Sequence, residues 1–255
     1  PHASARLRTP PAAERPRVAE RLMREHGCYP VFLDAQLVDR YYNGFCNDVL
    51  WPLFHYVPLP AYQAGAEKKF DARLWEAYKE ANARFADAVL EVWSAGPPSE
   101  NDSTATAKVP DYVWVHDYHL MMLPAVLRQR LPNVKLGWFL HTPFATSEMY
   151  RTLPHREEIL RGVLGADLVG FHIYDYARHF HTACSRVLGT GGAEGITEGN
   201  EGIFDHASRR SIAVDAFPIG IDPERFSRAL DTPRVAARIA ELQRQFEGTQ
   251  APRPP

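Results

Sequence analysis

The 255-residue chain reads as an α/β protein, a parallel sheet with helices on both faces. Three observations predict this. Short β-branched and aromatic runs alternate along the chain with segments of helical periodicity. Runs such as Val113-Trp-Val115 are apolar without strict alternation, the mark of strands buried on both sides. Several runs also end abruptly in ionisable residues, as strands do at the ligand-binding edge of an open α/β sheet.

In chain order, residues 1–17 are rich in Arg, Ala and Pro and read as a disordered lead-in. Val18 to His26 reads as a short helix, and Cys28 to Leu33 as a strand with Pro30 at its start or on an edge. Gln36 to Tyr42 is a helical turn that Gly44 is expected to break. Asn47 to Phe54 then carries a dense apolar face bent by Pro52. Glu67 to Trp93 shows the clearest helical period, with Phe70, Leu74, Ala77, Tyr78, Ala81, Phe85, Ala88, Val89 and Trp93 on one face. Ser94 to Pro110 reads as a loop.

A strand follows at Tyr112 to Val115, then a helix from about Leu120 to Arg130, and a strand at Val134 to Leu140. Helices are expected at Ser147 to Leu153 and Arg156 to Leu164, a strand at Asp167 to Phe171 and a helix at Tyr174 to Leu188. Thr190 to Gly202, with its glycines, reads as a surface loop rather than a phosphate cradle, because no strand precedes it. Ser211 to Phe217 is a strand, Pro223 to Leu230 and Val235 to Phe246 are helices, and Gly248 to Pro255 loses all pattern.

Composition narrows function. A net charge of −2 with scattered basic residues gives no reason to expect nucleic acid or an anionic membrane as partner. No apolar run reaches the ~20 residues of a membrane helix. Cys28, Cys46 and Cys184 form no CxxC and no zinc spacing, which fits a reducing cytoplasm. Nucleophilic-serine, zinc-protease, Walker and dinucleotide fingerprints do not occur.

The chemistry concentrates in Asp111-Tyr-Val-Trp-Val-His-Asp-Tyr-His119 and Lys135-Leu-Gly-Trp-Phe-Leu-His-Thr-Pro-Phe144. Asp117 is either the N-cap of the next helix or a carboxylate held at the sheet edge to accept hydrogen bonds from a polyol. His116 and His119 flank it, and with no second acidic cluster they read as fixing loop geometry rather than binding metal. His141 ends the neighbouring strand, and Pro143 stiffens the turn that aims it. Upstream, Tyr42 and Trp51 couple apolar rings to polar tips, a pairing suited to sugars.

Five segments together resemble the trehalose-6-phosphate synthases, the UDP-glucose-dependent retaining glycosyltransferases. They are Tyr42 to Tyr56, Trp114-Val-His-Asp-Tyr-His-Leu120, Gly137-Trp-Phe-Leu-His-Thr-Pro-Phe144, Asp167 to Phe180, and Ala216-Phe-Pro-Ile-Gly-Ile-Asp222. The resemblance implies the N-terminal, Rossmann-like domain of a two-domain GT-B enzyme. Residues 18–230 would form an acceptor domain lacking its first strand, and 231–255 a helix and tail leading to a donor domain. It implies glucose-6-phosphate and UDP-glucose as substrates, no cofactor and no metal, and a homo-oligomer or a synthase/phosphatase complex as the setting.

By motif, Tyr42 would bond the acceptor phosphate, Trp51 would pack on the acceptor pocket and Asp117 would bind sugar hydroxyls. His141 would face the donor glucose, and Pro143 would shape anomer selection. Asp117 and His141 are thus the expected catalytic pair. The Ser-Asn-Arg-like strand and Gly-Gly loop expected before Val18, and the Arg…Lys pair expected after Phe246, are not matched, so this chain alone is expected to lack turnover. The alternative is a non-catalytic, synthase-like regulatory domain; such relatives tend to lose the positions of Asp117 and His141.

Overall fold

The computed structural model describes residues 10–58, 70–95, 112–189, 195–199 and 202–246. The chain divides into two compact units, 1–217 and 218–255. The first holds a six-stranded sheet in the order β1-β2-β3-β6-β5-β4. Strands β1 (Tyr112–His116), β2 (Lys135–Phe139), β3 (Leu168–Phe171) and β6 (Arg210–Ala216) run parallel, as expected. The sheet as a whole is mixed, because β4 (Ile196–Gly199) and β5 (Gly202–Asp205) add an antiparallel hairpin to β6. That hairpin lies partly within the stretch read as a loop. Ile196 and Thr197 favour a strand but Glu198 and Gly199 do not, and pairing with β5, which itself pairs with β6, completes the short run.

Register puts Val115, Trp138, Val169 and Val214 in one row, all buried. The next row on the opposite face is Trp114, Gly137, Leu168 and Ala213, with Trp114 57% and Leu168 39% exposed. The fold is thus the expected α/β sheet with helices packed against it. Helix α5 (Leu123–Arg130) packs on β2, and α8 (Tyr174–Leu188) packs on β3, β4 and β6. Glycines line the face that carries Trp114. A Cβ at Gly137 would sit 3.4 Å from the Trp114 ring, and one at Gly170 would sit 2.7 Å from Phe139.

Behind α5 stand α7 (Arg156–Val163), which buries Ile159, Leu160 and Val163, and the long helix α4 (Ala72–Ala95). Helix α4 turns Trp75, Ala77, Tyr78, Ala81, Asn82 and Ala86 inward, close to the expected stripe; residues 67–69 and most of the 94–110 loop lie outside the described residues. Helix α1 (Arg15–His26) begins inside the stretch read as a lead-in and ends on Gly27 with φ 62°, a left-handed helix stop. Cys28 to Leu33 forms no strand; Pro30 offers no amide to a ladder, and the backbone runs irregularly.

The segment 35–54 is one continuous helix, not two pieces. It runs through α2 (Ala35–Val38), a π-helix (Asp39–Leu50) and α3 (Trp51–Phe54), with the Trp51 amide donating to the Cys46 carbonyl five residues back. Gly44 does not break it. A Cβ there would meet Leu74 Cδ2 at 2.7 Å, so this glycine permits close packing on α4. Short α6 (Ser147–Tyr150) completes the first unit. In the second unit, α9 (Pro223–Leu230) is capped by the Asp222 carboxylate, which accepts from the Glu224 amide, and α10 (Pro233–Phe246) follows.

At the sheet's amino edge, Asp167 binds two arginines and an amide. Its Oδ2 accepts from Arg128 at 2.7 Å and from the Leu136 amide at 2.8 Å, and its Oδ1 from Arg210 at 2.6 Å. Burial pushes the carboxyl pKa up, but the Leu136 amide and the two guanidiniums outweigh this and hold it below its usual range. A depressed folded pKa gives stability that is present above the unfolded value of about 3.9 and lost as pH falls through the folded value. Asp167→Asn is therefore expected to cost about 1–2 kcal/mol at neutral pH, screening at this half-exposed group limiting the loss. The gap should begin to narrow in urea melts taken below about pH 4.

Candidate active site

The carboxyl ends of β1, β2 and β3 lie side by side and deliver His116, Asp117, His141 and His172 to one edge. Asp117 is the pivot. Its backbone has φ 71° and ψ 175°, a region that is essentially glycine-only and costs about 1–3 kcal/mol to occupy. Neighbours hold it there. Its amide donates to the Phe139 carbonyl at 2.7 Å, and its carbonyl accepts from Trp138 Nε1 at 3.2 Å. The N-cap reading fails, because the carboxylate makes no capping bond to the turn that follows. Oδ1 is buried without a partner and Oδ2 lies 3.8 Å from His119 Nδ1.

The turn after Asp117 is lashed from behind by three residues that the sequence pattern did not assign to the site. Tyr41 Oη donates to the His119 carbonyl at 3.1 Å, and Asn82 Nδ2 reaches the same oxygen at 3.2 Å. Tyr78 Oη donates to the Tyr118 carbonyl at 2.8 Å and accepts from the Met121 amide at 3.0 Å. Complete burial pushes the Tyr78 phenol pKa well up, so it stays a neutral donor. A sequence signal existed for Asn82: a polar residue four after Tyr78, on the face α4 turns inward.

Tyr42 and Trp51 come to this turn from the π-helix and α3, and both are exposed, at 46% and 47%. The Tyr42 ring lies 5.5 Å from His119 at 12°, and Trp51 lies 6.1 Å from Tyr118. Trp51 also stacks on His55 at 3.8 Å. Burial lowers the His119 pKa against the opposing pull of Asp117, so this ring is a neutral link between Tyr42 and the carboxylate. Tyr42, Trp51 and Asp117 are thus assembled around Tyr118 and His119.

His141 and Pro143 belong to the neighbouring strand end. His141 Nε2 lies 3.0 Å from His116 Nδ1. Thr142 is buried with an unpartnered Oγ1, Pro143 is half-buried and Phe144 is fully buried among Phe54, Tyr150, Phe171 and Phe180. Phe144 anchors the turn that Pro143 stiffens. His172, which the sequence reading passed over, joins this group 5.7 Å from His141; its signal was the same pattern of an apolar strand ending in histidine. Among the described residues no three His, Cys, Asp or Glu side chains are placed to share a metal ion. No helix among them is long and apolar enough to cross a membrane.

An open groove of about 290 Å³ lies elsewhere, between α2 and α4, lined by Asp34, Arg40, Arg73, Glu76 and Glu80 among others. Its charges are mixed and it holds none of the strand-end residues, so it is not the site.

The sequence model of the family described as Glycosyltransferase family 20 matches residues 3–251. The alpha,alpha-trehalose-phosphate synthase [UDP-forming] 1 of Aspergillus niger is 49% identical over 242 residues, covering 93% of this chain and 41% of that protein. The chain thus spans less than half the length of this relative. Among solved structures, the N-terminal domain of Candida albicans trehalose-6-phosphate phosphatase aligns with TM-score 0.68 at 27% identity, covering 94% of this chain and 47% of that one. A Burkholderia xenovorans alpha,alpha-trehalose-phosphate synthase (UDP-forming) in complex with glucose-6-phosphate aligns with TM-score 0.62 at 26% identity, covering 83% and 42%.

Proposed function

This chain belongs to glycosyltransferase family 20, and from that premise we propose that it is the acceptor-binding part of a cytoplasmic UDP-forming trehalose-6-phosphate synthase. In this reading residues 18–230 hold glucose-6-phosphate. Asp117 accepts hydrogen bonds from sugar hydroxyls through its carboxylate, Tyr42 donates its phenol to the phosphate, and Trp51 packs on the acceptor. His141 faces the glucose of UDP-glucose and Pro143 shapes the turn beside it.

Transfer breaks the bond between the donor C1 and the UDP oxygen and forms one between that C1 and the acceptor hydroxyl oxygen. The hydroxyl proton leaves to the departing phosphate on the same face, giving retention without a protein nucleophile. The arrangement suits this chemistry, since it offers aimed polar groups for positioning and electrostatic stabilisation. The observation that carries the proposal is Asp117, a carboxylate with a buried free oxygen on strained backbone beside two exposed aromatic rings.

A second reading, a synthase-like domain that regulates a synthase/phosphatase complex, draws support from the likeness to the phosphatase N-terminal domain. Melting of this chain with and without glucose-6-phosphate tests the first. A site with a Kd near 0.1 mM gains about 2.7 kcal/mol at 100 Kd, ~10 mM ligand, an upward shift of about 5–10 °C. No shift at that concentration would overturn the acceptor role.

A further inference from the structure

Beside Asp117 sits a ladder of imidazoles. His116 follows Trp114 on the same sheet face, and its ring lies 4.6 Å from the indole. His141 lies 5.2 Å from His116 on one side and 5.7 Å from His172 on the other, the latter contact edge-on at 67°. Phe139 supports both His141, at 4.8 Å, and His172, at 5.0 Å. Only the first of these histidine contacts is polar: His116 Nδ1 to His141 Nε2, at 3.0 Å.

That contact ties the two rings' protons together. A hydrogen bond between neutral imidazoles needs one N–H and one lone pair. If His116 donates from Nδ1, then His141 carries its own proton on Nδ1. If His141 donates from Nε2, its Nδ1 is bare. Either way the two tautomers change together, so the character of the His141 nitrogen that points away from His116 is coupled to the state of His116. A ring meant to meet one particular sugar hydroxyl needs its tautomer set in advance, as metal-binding and catalytic histidines do through the bond their other nitrogen makes.

We propose that His116 is a positioning residue for His141, fixing its ring plane and its tautomer by the Nδ1···Nε2 hydrogen bond. The proposal deepens the functional reading above and rests on it for the role of His141. In this proposal His116 acts through its neighbour. Trp114 and Phe139 hold the two rings at this spacing.

The test uses the whole chain and reads the ring nitrogens of His141 by ¹⁵N NMR at a pH where both imidazoles are neutral. One tautomer should dominate in the parent chain. His116→Phe keeps an aromatic body against Trp114 but removes the bond, and should shift the His141 tautomer ratio by about fivefold, the effect of one net hydrogen bond. His116→Asn, whose amide can take the place of Nδ1 as donor or acceptor, should restore the parent ratio. An unchanged ratio in His116→Phe would overturn the proposal, and so would an Asn variant that behaves like Phe. If the Phe variant fails to fold, His116→Leu carries the same comparison. Melting the parent chain with glucose-6-phosphate separates the two ideas. A shifted tautomer without a ligand response sinks the acceptor reading alone, and a ligand response with an unmoved tautomer sinks the His116 proposal alone.

Discussion

Asp117→Gly is expected to raise the melting temperature of the free chain while abolishing its response to glucose-6-phosphate. The backbone of Asp117, at φ 71° and ψ 175°, is comfortable for glycine and costs any L-residue about 1–3 kcal/mol. Glycine brings an entropic penalty of about 0.5–1 kcal/mol, so the net gain is up to about 2 kcal/mol, or a few degrees for a unit of this size. The same change removes the carboxylate. Two hydrogen bonds from sugar hydroxyls to a charged acceptor are together worth about 3–6 kcal/mol, so affinity falls at least ~100-fold.

Asp117→Asn separates the two effects. It keeps the strain and much of the shape, and should lose the ligand response without the gain in stability. A Gly variant that melts lower than the parent would show that the strain is not stored where the backbone places it. An Asn variant with an undiminished ligand shift would remove Asp117 from the acceptor site.

Trp138→Ala is expected to cost about 3–5 kcal/mol, the usual effect of emptying a large aromatic site in a core, and to lower the melting temperature by on the order of 10 °C. Trp138 is 1% exposed and lies in the buried row with Val115, Val169 and Val214. It is also the residue whose Nε1 grips the Asp117 carbonyl. Trp138→Phe keeps most of the volume and should cost about 1 kcal/mol through the lost hydrogen bond. It should also weaken glucose-6-phosphate binding, because the strained conformation of Asp117 loses one of its holders. Calorimetry with and without ligand reads both. A Phe variant that binds as tightly as the parent would confine Trp138 to the core.

Much of the site could be read before the fold was known, for a physical reason. Parallel strands end in register, so apolar runs that stop at His116-Asp117 and at His141 announce a shared edge. The same pattern ends β3 at Gly170-Phe171-His172 and puts a third histidine on that edge. Tyr41, Tyr78 and Asn82 were harder. Their polar atoms turn back to main-chain oxygens 37 to 78 residues away, and helical periodicity reports only that they face inward.

Local signals misled where tertiary packing decides. Gly44 looked like a break and instead admits Leu74. Cys28 to Leu33 looked like a strand and pairs with nothing regular. The β4–β5 hairpin looked like part of a loop and is added to the sheet edge through β5 pairing with β6.

The register that seats Val115 beside Trp138 and His116 beside Phe139 also limits how this part of the chain can change length. Side chains alternate faces, so one residue gained or lost within Tyr112–His116 would send Trp114 inward and turn Val115 out, and would remove His116 and Asp117 from the edge at the same time. Point substitution is then the route open to these strands. A change of length is better borne by a connection outside the strands, where an added residue leaves the alternation of every strand intact.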